Sequence, residues 1–152
     1  MKVIFLDVDG VMNSVHNEWL DLRCVDNLCM IVKATGAKIV ITSSWRDGWF
    51  KEPEMKQYMS AEMSDLEEAL AEQDVEIYDK TRPQLAGVMD FRGNQIKDYL
   101  TDHPEIDRFV VIDDLYFPDF GQFEDQLIMT DFEEGGLIME RAQDAIYILN
   151  KK

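Results

Sequence analysis

The stretch VIFLDVDGV, Val3 to Val11, decides how the rest of the chain is read. Val3, Ile4, Phe5 and Leu6 form a short apolar run, β-branched and aromatic, with the composition of a strand buried on both faces of a parallel sheet. Gly10 stops it. Asp7 and Asp9 therefore stand at the C-terminal end of a strand, the edge at which open α/β sheets bind their ligands. On an ideal strand residues i and i+2 share a face, so the two carboxylates are expected to converge on one cation or one substrate. A hard cation such as Mg²⁺ takes oxygen ligands of this kind, one or two carboxylates completed by waters and substrate phosphate.

The 152 residues suffice for one domain with a sizeable core, and a single domain over 1–152 is the expectation. Hydrophobic residues make up 46% and charged residues 30%, the balance of a folded rather than a disordered chain. No apolar run approaches the roughly 20 residues of a membrane helix, and the start of the chain lacks the basic region and cleavage site of a signal peptide. No membrane partner is expected, and the expected location is the cytoplasm. The net charge of −16 opposes non-specific binding to nucleic acid, which relies on Lys and Arg to neutralise phosphates. A polyanionic substrate must then be met by a few well-placed cations and a bound metal. Cys24 and Cys29 lack a second pair to complete a zinc site and are expected as reduced core residues. His16 and His103 have no partner at ligand spacing.

Taken in order, Val11 to Asn17 reads as a loop. From Trp19 to about Thr35 apolar residues recur at helical spacing, closed by Gly36. Ala37 to Ile41 is a second buried strand, running into Thr42, Ser43, Ser44, Trp45 and Arg46. Hydroxyls, backbone N–H groups and a guanidinium fork suit a phosphate. Gly10, Thr42, Ser43, Ser44 and Arg46 are thus the candidate phosphate contacts, with Ser43 the first choice among the hydroxyls. Asp47 to Ser60 is rich in large apolar groups; Trp45, Trp49 and Phe50 suit either stacking on a nucleobase or, preferred, a local lid packed over the core. Ser60 can cap a helix running to Ala71 with an acidic outer face. Val75 to Tyr78 suits a third strand towards the edge. A helix from Arg92 to about Leu100 follows, then a buried strand, Phe109 to Ile112, ending in Asp113 and Asp114. Gln126 to Met129 reads as a short fifth strand and Leu137 to Leu149 as a closing helix. Strands alternating with helices predict a three-layer α/β/α sandwich around a mostly parallel five-stranded sheet.

DVDGV followed by Asn13, TGAKIVITSSWR, a helix opening with Arg92 and Ile96, Ile112-Asp113-Asp114 and a late Gly-Leu before the last helix resemble the haloacid dehalogenase (HAD) superfamily of Mg²⁺-dependent phosphohydrolases. The likeness is closest to the HAD domain of multidomain RNA-repair (Swiss Army Knife) proteins, related by fold to polynucleotide 3′-phosphatases. It implies the strand order 5-4-1-2-3 and no large cap insertion. It also implies that Asp7 is the nucleophile carrying a transient aspartyl-phosphate, that Asp9 is the general acid and base, and that Arg92, with Lys97 as fallback, neutralises charge shared by nucleophile and phosphate. Asp7, Asp9, Asp113 and Asp114 are the implied metal residues, Asp113 first and Asp114 through water. The implied substrate is a phosphomonoester, extending to nucleic-acid 3′-phosphate ends. Two alternatives stand beside it: a phosphatase of the same fold for nucleotides or other small esters, which the −16 charge favours, and a Mg²⁺-binding interaction module without turnover.

Overall fold

Five strands lie side by side, all parallel: β1 (Lys2–Leu6), β2 (Lys38–Ile41), β3 (Ile77–Lys80), β4 (Arg108–Asp113) and β5 (Leu127–Met129). Their order is β3-β2-β1-β4-β5, which read from the other edge is the expected 5-4-1-2-3. The computed structural model describes residues 1–152. Four helices complete the layers: α1 (Leu22–Thr35), α2 (Ala61–Ala71), α3 (Arg92–Asp102) and α4 (Met139–Asn150).

β1 is central, and for that reason its run is apolar at every position. Ile4 and Leu6 enter a core of 26 buried residues shared with α1, α2 and α4. Val3 and Phe5 enter a core of eight, closed by Ile96 and Tyr99 of α3 and by Phe120 and Phe123. Strand parity thus sorts side chains between a thick layer and a thin one.

α1 starts at Asp21, whose side chain accepts the Arg23 N–H, and ends at Gly36, which adopts a left-handed φ of 74° and donates its N–H to the Val32 carbonyl. The expected start at Trp19 is corrected by that cap. Trp19 lies before the helix, 48% exposed, and its indole N–H donates to Asp65 at 2.8 Å. α2 is capped by Ser60, as the sequence predicts. β3 begins two residues later than Val75, because the exit from α2 keeps Val75 in a turn: Asp74 has a φ of 59° and the Val75 N–H donates to the Leu70 carbonyl.

The segment after β2 forms two short 3₁₀ turns, Ser44–Gly48 and Pro53–Tyr58. Trp49 is buried with its indole N–H on Glu67, and Phe50 lies under the Lys80 ammonium. Trp49 thereby packs into the large core in the lid-like manner expected, whereas Phe50 lies outside that cluster. Cys24 and Cys29 are free thiols, both buried. No helix is long and apolar enough to cross a membrane.

Candidate active site

Parallel pairing outlasts β1 by one residue. The Asp7 N–H donates to the Ile112 carbonyl at 3.0 Å and the Thr42 N–H to the Leu6 carbonyl at 2.9 Å. Asp7, Thr42 and Asp113 therefore continue one row across β2, β1 and β4, on the face that α3 covers.

Arg92, the first residue of α3, reaches into that row. Its Nη1 lies 2.5 Å from Asp113 Oδ2 and 3.2 Å from Asp7 Oδ1, and its guanidinium rests over the Phe117 ring, 4.6 Å from the centroid. Two carboxylates flank the start of α3. Asp119, from the loop after β4, accepts the N–H groups of Gly93 at 3.0 Å and Asn94 at 2.8 Å. A Cβ at position 93 would collide with that carboxylate, so the glycine is required by the close approach. Asp90, on the other side, accepts two hydrogen bonds from Arg82 and the Leu85 N–H, and Arg82 holds its carboxyl down at about 2.

Asp114 closes the group. One carboxylate oxygen from each of Asp7, Asp113 and Asp114 lies within 4.8 Å of the other two. Burial pushes the Asp7 carboxyl up to about 9; repulsion from Asp113 adds to this, Arg92 opposes it, and Asp114 raises it further. Asp113 is raised as well, chiefly by burial, although Arg92 and the Leu115 N–H favour its charged form. One guanidinium faces three carboxylates, a deficit of positive charge that adds repulsion to the burial already raising Asp7. Hard oxygen donors at this spacing, short of a cation, fit a divalent metal ion.

Asp9 is not brought into that group. β1 ends at Leu6, and the chain turns at once, with the N–H groups of Val11 and Met12 both donating to the Val8 carbonyl. The ideal-strand spacing that would aim Asp7 and Asp9 together does not persist so far. The Asp9 carboxylate is exposed instead, its Oδ1 accepting from Asn13 Nδ2 at 3.0 Å and its Oδ2 from the Trp45 indole at 2.9 Å.

The candidate phosphate contacts separate in the same way. Thr42 shares the row of Asp7, and its hydroxyl is buried without a partner. The Ser43 hydroxyl, first choice from the sequence, caps the 3₁₀ turn by accepting the Trp45 N–H. Ser44 is exposed on that turn. Arg46 is buried and its Nη1 donates to the carbonyls of Thr42 and Ser43 at 2.8 and 3.0 Å, bracing the loop from beneath rather than presenting a fork. The Gly10 N–H is taken by Asn13 at 2.8 Å, and its carbonyl accepts from Thr130 at 2.7 Å. Lys97 is exposed on α3, and Arg92 alone holds the place of the cation. Asp119, Phe117 and the pairing of Trp45 with Asp9 carry no local signal in the sequence.

Gly10 has a φ of +76°, and a Cβ there would run into the Asp114 carboxylate. Gly10→Ala is expected to lower stability by about 1–3 kcal/mol through backbone strain and displacement of Asp114. A thermal melt checks this; an unchanged midpoint would mean that the turn accommodates the methyl group.

A family model described as the HAD domain in Swiss Army Knife RNA repair proteins matches residues 3–141, a span that holds every residue of the row and of the carboxylate group. No curated protein matches the chain. With five parallel strands in the expected order and a match that runs from β1 into α4, the chain belongs to the family of HAD domains of Swiss Army Knife RNA repair proteins.

Proposed function

We propose that the chain is a Mg²⁺-dependent phosphomonoester hydrolase working through an aspartyl-phosphate, in one domain whose cleft has no large cap. The observation that carries this is the meeting of Asp7, Asp113 and Asp114 with Arg92 at the C-terminal edge of the sheet. Asp7, Asp113 and Asp114 would hold the metal. When bound, Mg²⁺ supplies the positive charge that the three carboxylates lack and that a phosphoryl group needs.

Asp7 attacks phosphorus, forming a P–O bond as the bond to the leaving oxygen breaks, and Asp9 gives that oxygen a proton. Asp9 then takes a proton from the water that attacks the aspartyl-phosphate, restoring the Asp7 carboxylate and releasing inorganic phosphate. Arg92 offsets the charge shared by nucleophile and phosphoryl oxygens. The Thr42 hydroxyl, buried and unpartnered, is the favoured phosphate contact among the three hydroxyls.

Nucleic-acid 3′-phosphate ends are the proposed substrate, supported by the family's place in RNA repair and by the short connection, residues 7–21, between β1 and α1. The net charge of −16 favours the second reading, a nucleotide or other small phosphomonoester. Hydrolysis of an aryl phosphate and of a 3′-phosphorylated oligonucleotide, each with and without Mg²⁺, separates these. Metal-dependent release from the oligonucleotide supports the first, release from the aryl ester alone supports the second, and silence on both overturns the hydrolase.

Metal binding has its own expected signature. Asp7 must lose its proton to serve as a ligand, so Mg²⁺ should bind more tightly as pH rises towards about 9. At saturation about a hundredfold above the dissociation constant, linkage gives about 2.7 kcal/mol of added stability. The rise in Tm on adding Mg²⁺ is expected to grow between pH 6 and pH 8.5 and to vanish with chelator. A rise independent of pH would place the ion elsewhere.

A further inference from the structure

We propose that Trp45 is a positioning residue: its indole N–H, together with the Asn13 amide, orients the Asp9 carboxylate for proton transfer to leaving groups that cannot depart as anions. The inference rests on the hydrolase reading above and deepens it by assigning the site to alkyl phosphoesters, the class to which a sugar phosphate belongs.

An exposed aspartate ordinarily samples several rotamers. Here each oxygen is held separately, Oδ1 by Asn13 at 3.0 Å and Oδ2 by Trp45 at 2.9 Å. Neither donor is free to drift. Asn13 is buried and its own Oδ1 accepts the Gly10 N–H. Trp45 is half-buried against the large core, and its backbone N–H donates to Ser43 Oγ at 3.1 Å. The two donors come from separate turns that meet only in the fold, so they define the plane of the carboxylate. Each oxygen keeps a second lone pair for a travelling proton.

Such fixing matters unequally between substrates. In the first step the Asp7–phosphorus bond forms while the bond from phosphorus to the leaving oxygen breaks. That oxygen keeps the bonding pair and takes the Asp9 proton. An alkoxide needs the proton as it leaves, whereas a nitrophenolate departs without it. Removing the indole N–H should therefore slow alkyl esters more than aryl esters. A merely structural loss would slow both alike.

The experiment compares kcat/KM for a nucleoside 3′-monophosphate and for 4-nitrophenyl phosphate, with Mg²⁺ present, in the wild type and in Trp45→Phe. This constant reports the steps through loss of the leaving group and leaves out the later attack by water. The ratio of alkyl to aryl values is expected to fall about tenfold or more, a part of the roughly 10²–10⁴-fold that a positioned acid contributes. A ratio within about twofold of the wild type overturns the proposal. If Trp45→Phe fails to fold by circular dichroism, Trp45→Leu, which also lacks the N–H and keeps an apolar contact, is read in its place. A wild type inactive on both esters overturns the hydrolase reading itself, and so is told apart from an unchanged ratio in an active pair.

Discussion

Asp7→Asn should abolish turnover while leaving the fold intact and, without metal, making it more stable. The activity loss is expected at about 10⁴-fold or more, because an amide cannot form the acyl-phosphate bond. Stability moves the other way. Burial raises the Asp7 carboxyl to about 9, far above its value in the unfolded chain, so the folded state keeps a proton that the unfolded state releases. The wild type is therefore least penalised in acid and loses stability as pH rises from about 4 towards about 9. Asn escapes that loss. Metal-free melts at pH 5 and pH 8.5 should show the two proteins closest in acid and Asp7→Asn ahead in base. Near wild-type activity in the variant would remove Asp7 as nucleophile; equal melts across pH would remove the charge deficit.

Arg92→Met should cost about 10²–10³ in kcat/KM, the scale of one preorganised charge at a reacting centre. Methionine retains an apolar stem against Phe117, so the loss reads chiefly as loss of the guanidinium. With Nη1 2.5 Å from Asp113 and 3.2 Å from Asp7, its removal also leaves the carboxylates to repel one another. Arg92→Lys keeps a cation but forfeits the planar fork, and should fall between Arg92→Met and the wild type. Activity within about threefold of the wild type in Arg92→Met would assign charge neutralisation to another group.

The sequence was informative where one local pattern determined the outcome. An apolar run at both parities can only be buried on two faces, which made β1 central and put Asp7 and Asp113 at strand ends. Ser60 before α2 and Gly36 after α1 mark helix ends by chemistry within one turn of the chain. What the sequence left open depends on where the backbone turns and on partners far away. Asp9 was expected beside Asp7 because spacing i, i+2 assumes a continuing strand, and the chain instead folds over Val8. Val75 was expected in a strand because Val75 to Tyr78 alternates apolar and polar, and the turn at Asp74 keeps it back. Asp119 meets α3 from 26 residues away and Trp45 meets Asp9 from 36, separations at which neither periodicity nor capping rules speak.

The uneven division of the core carries one more implication, for endurance rather than chemistry. Arg92 stands on the side of the sheet closed by eight buried residues, while 26 secure the opposite side. Local opening follows the least cohesive unit, so α3 and the loop that holds Asp119 are expected to exchange their amides first. When they lift away, the carboxylates lose their guanidinium while α1, α2 and α4 still grip the sheet. Under the proposed function, activity and foldedness would then be separable, and heat or denaturant should silence the chain before unfolding it.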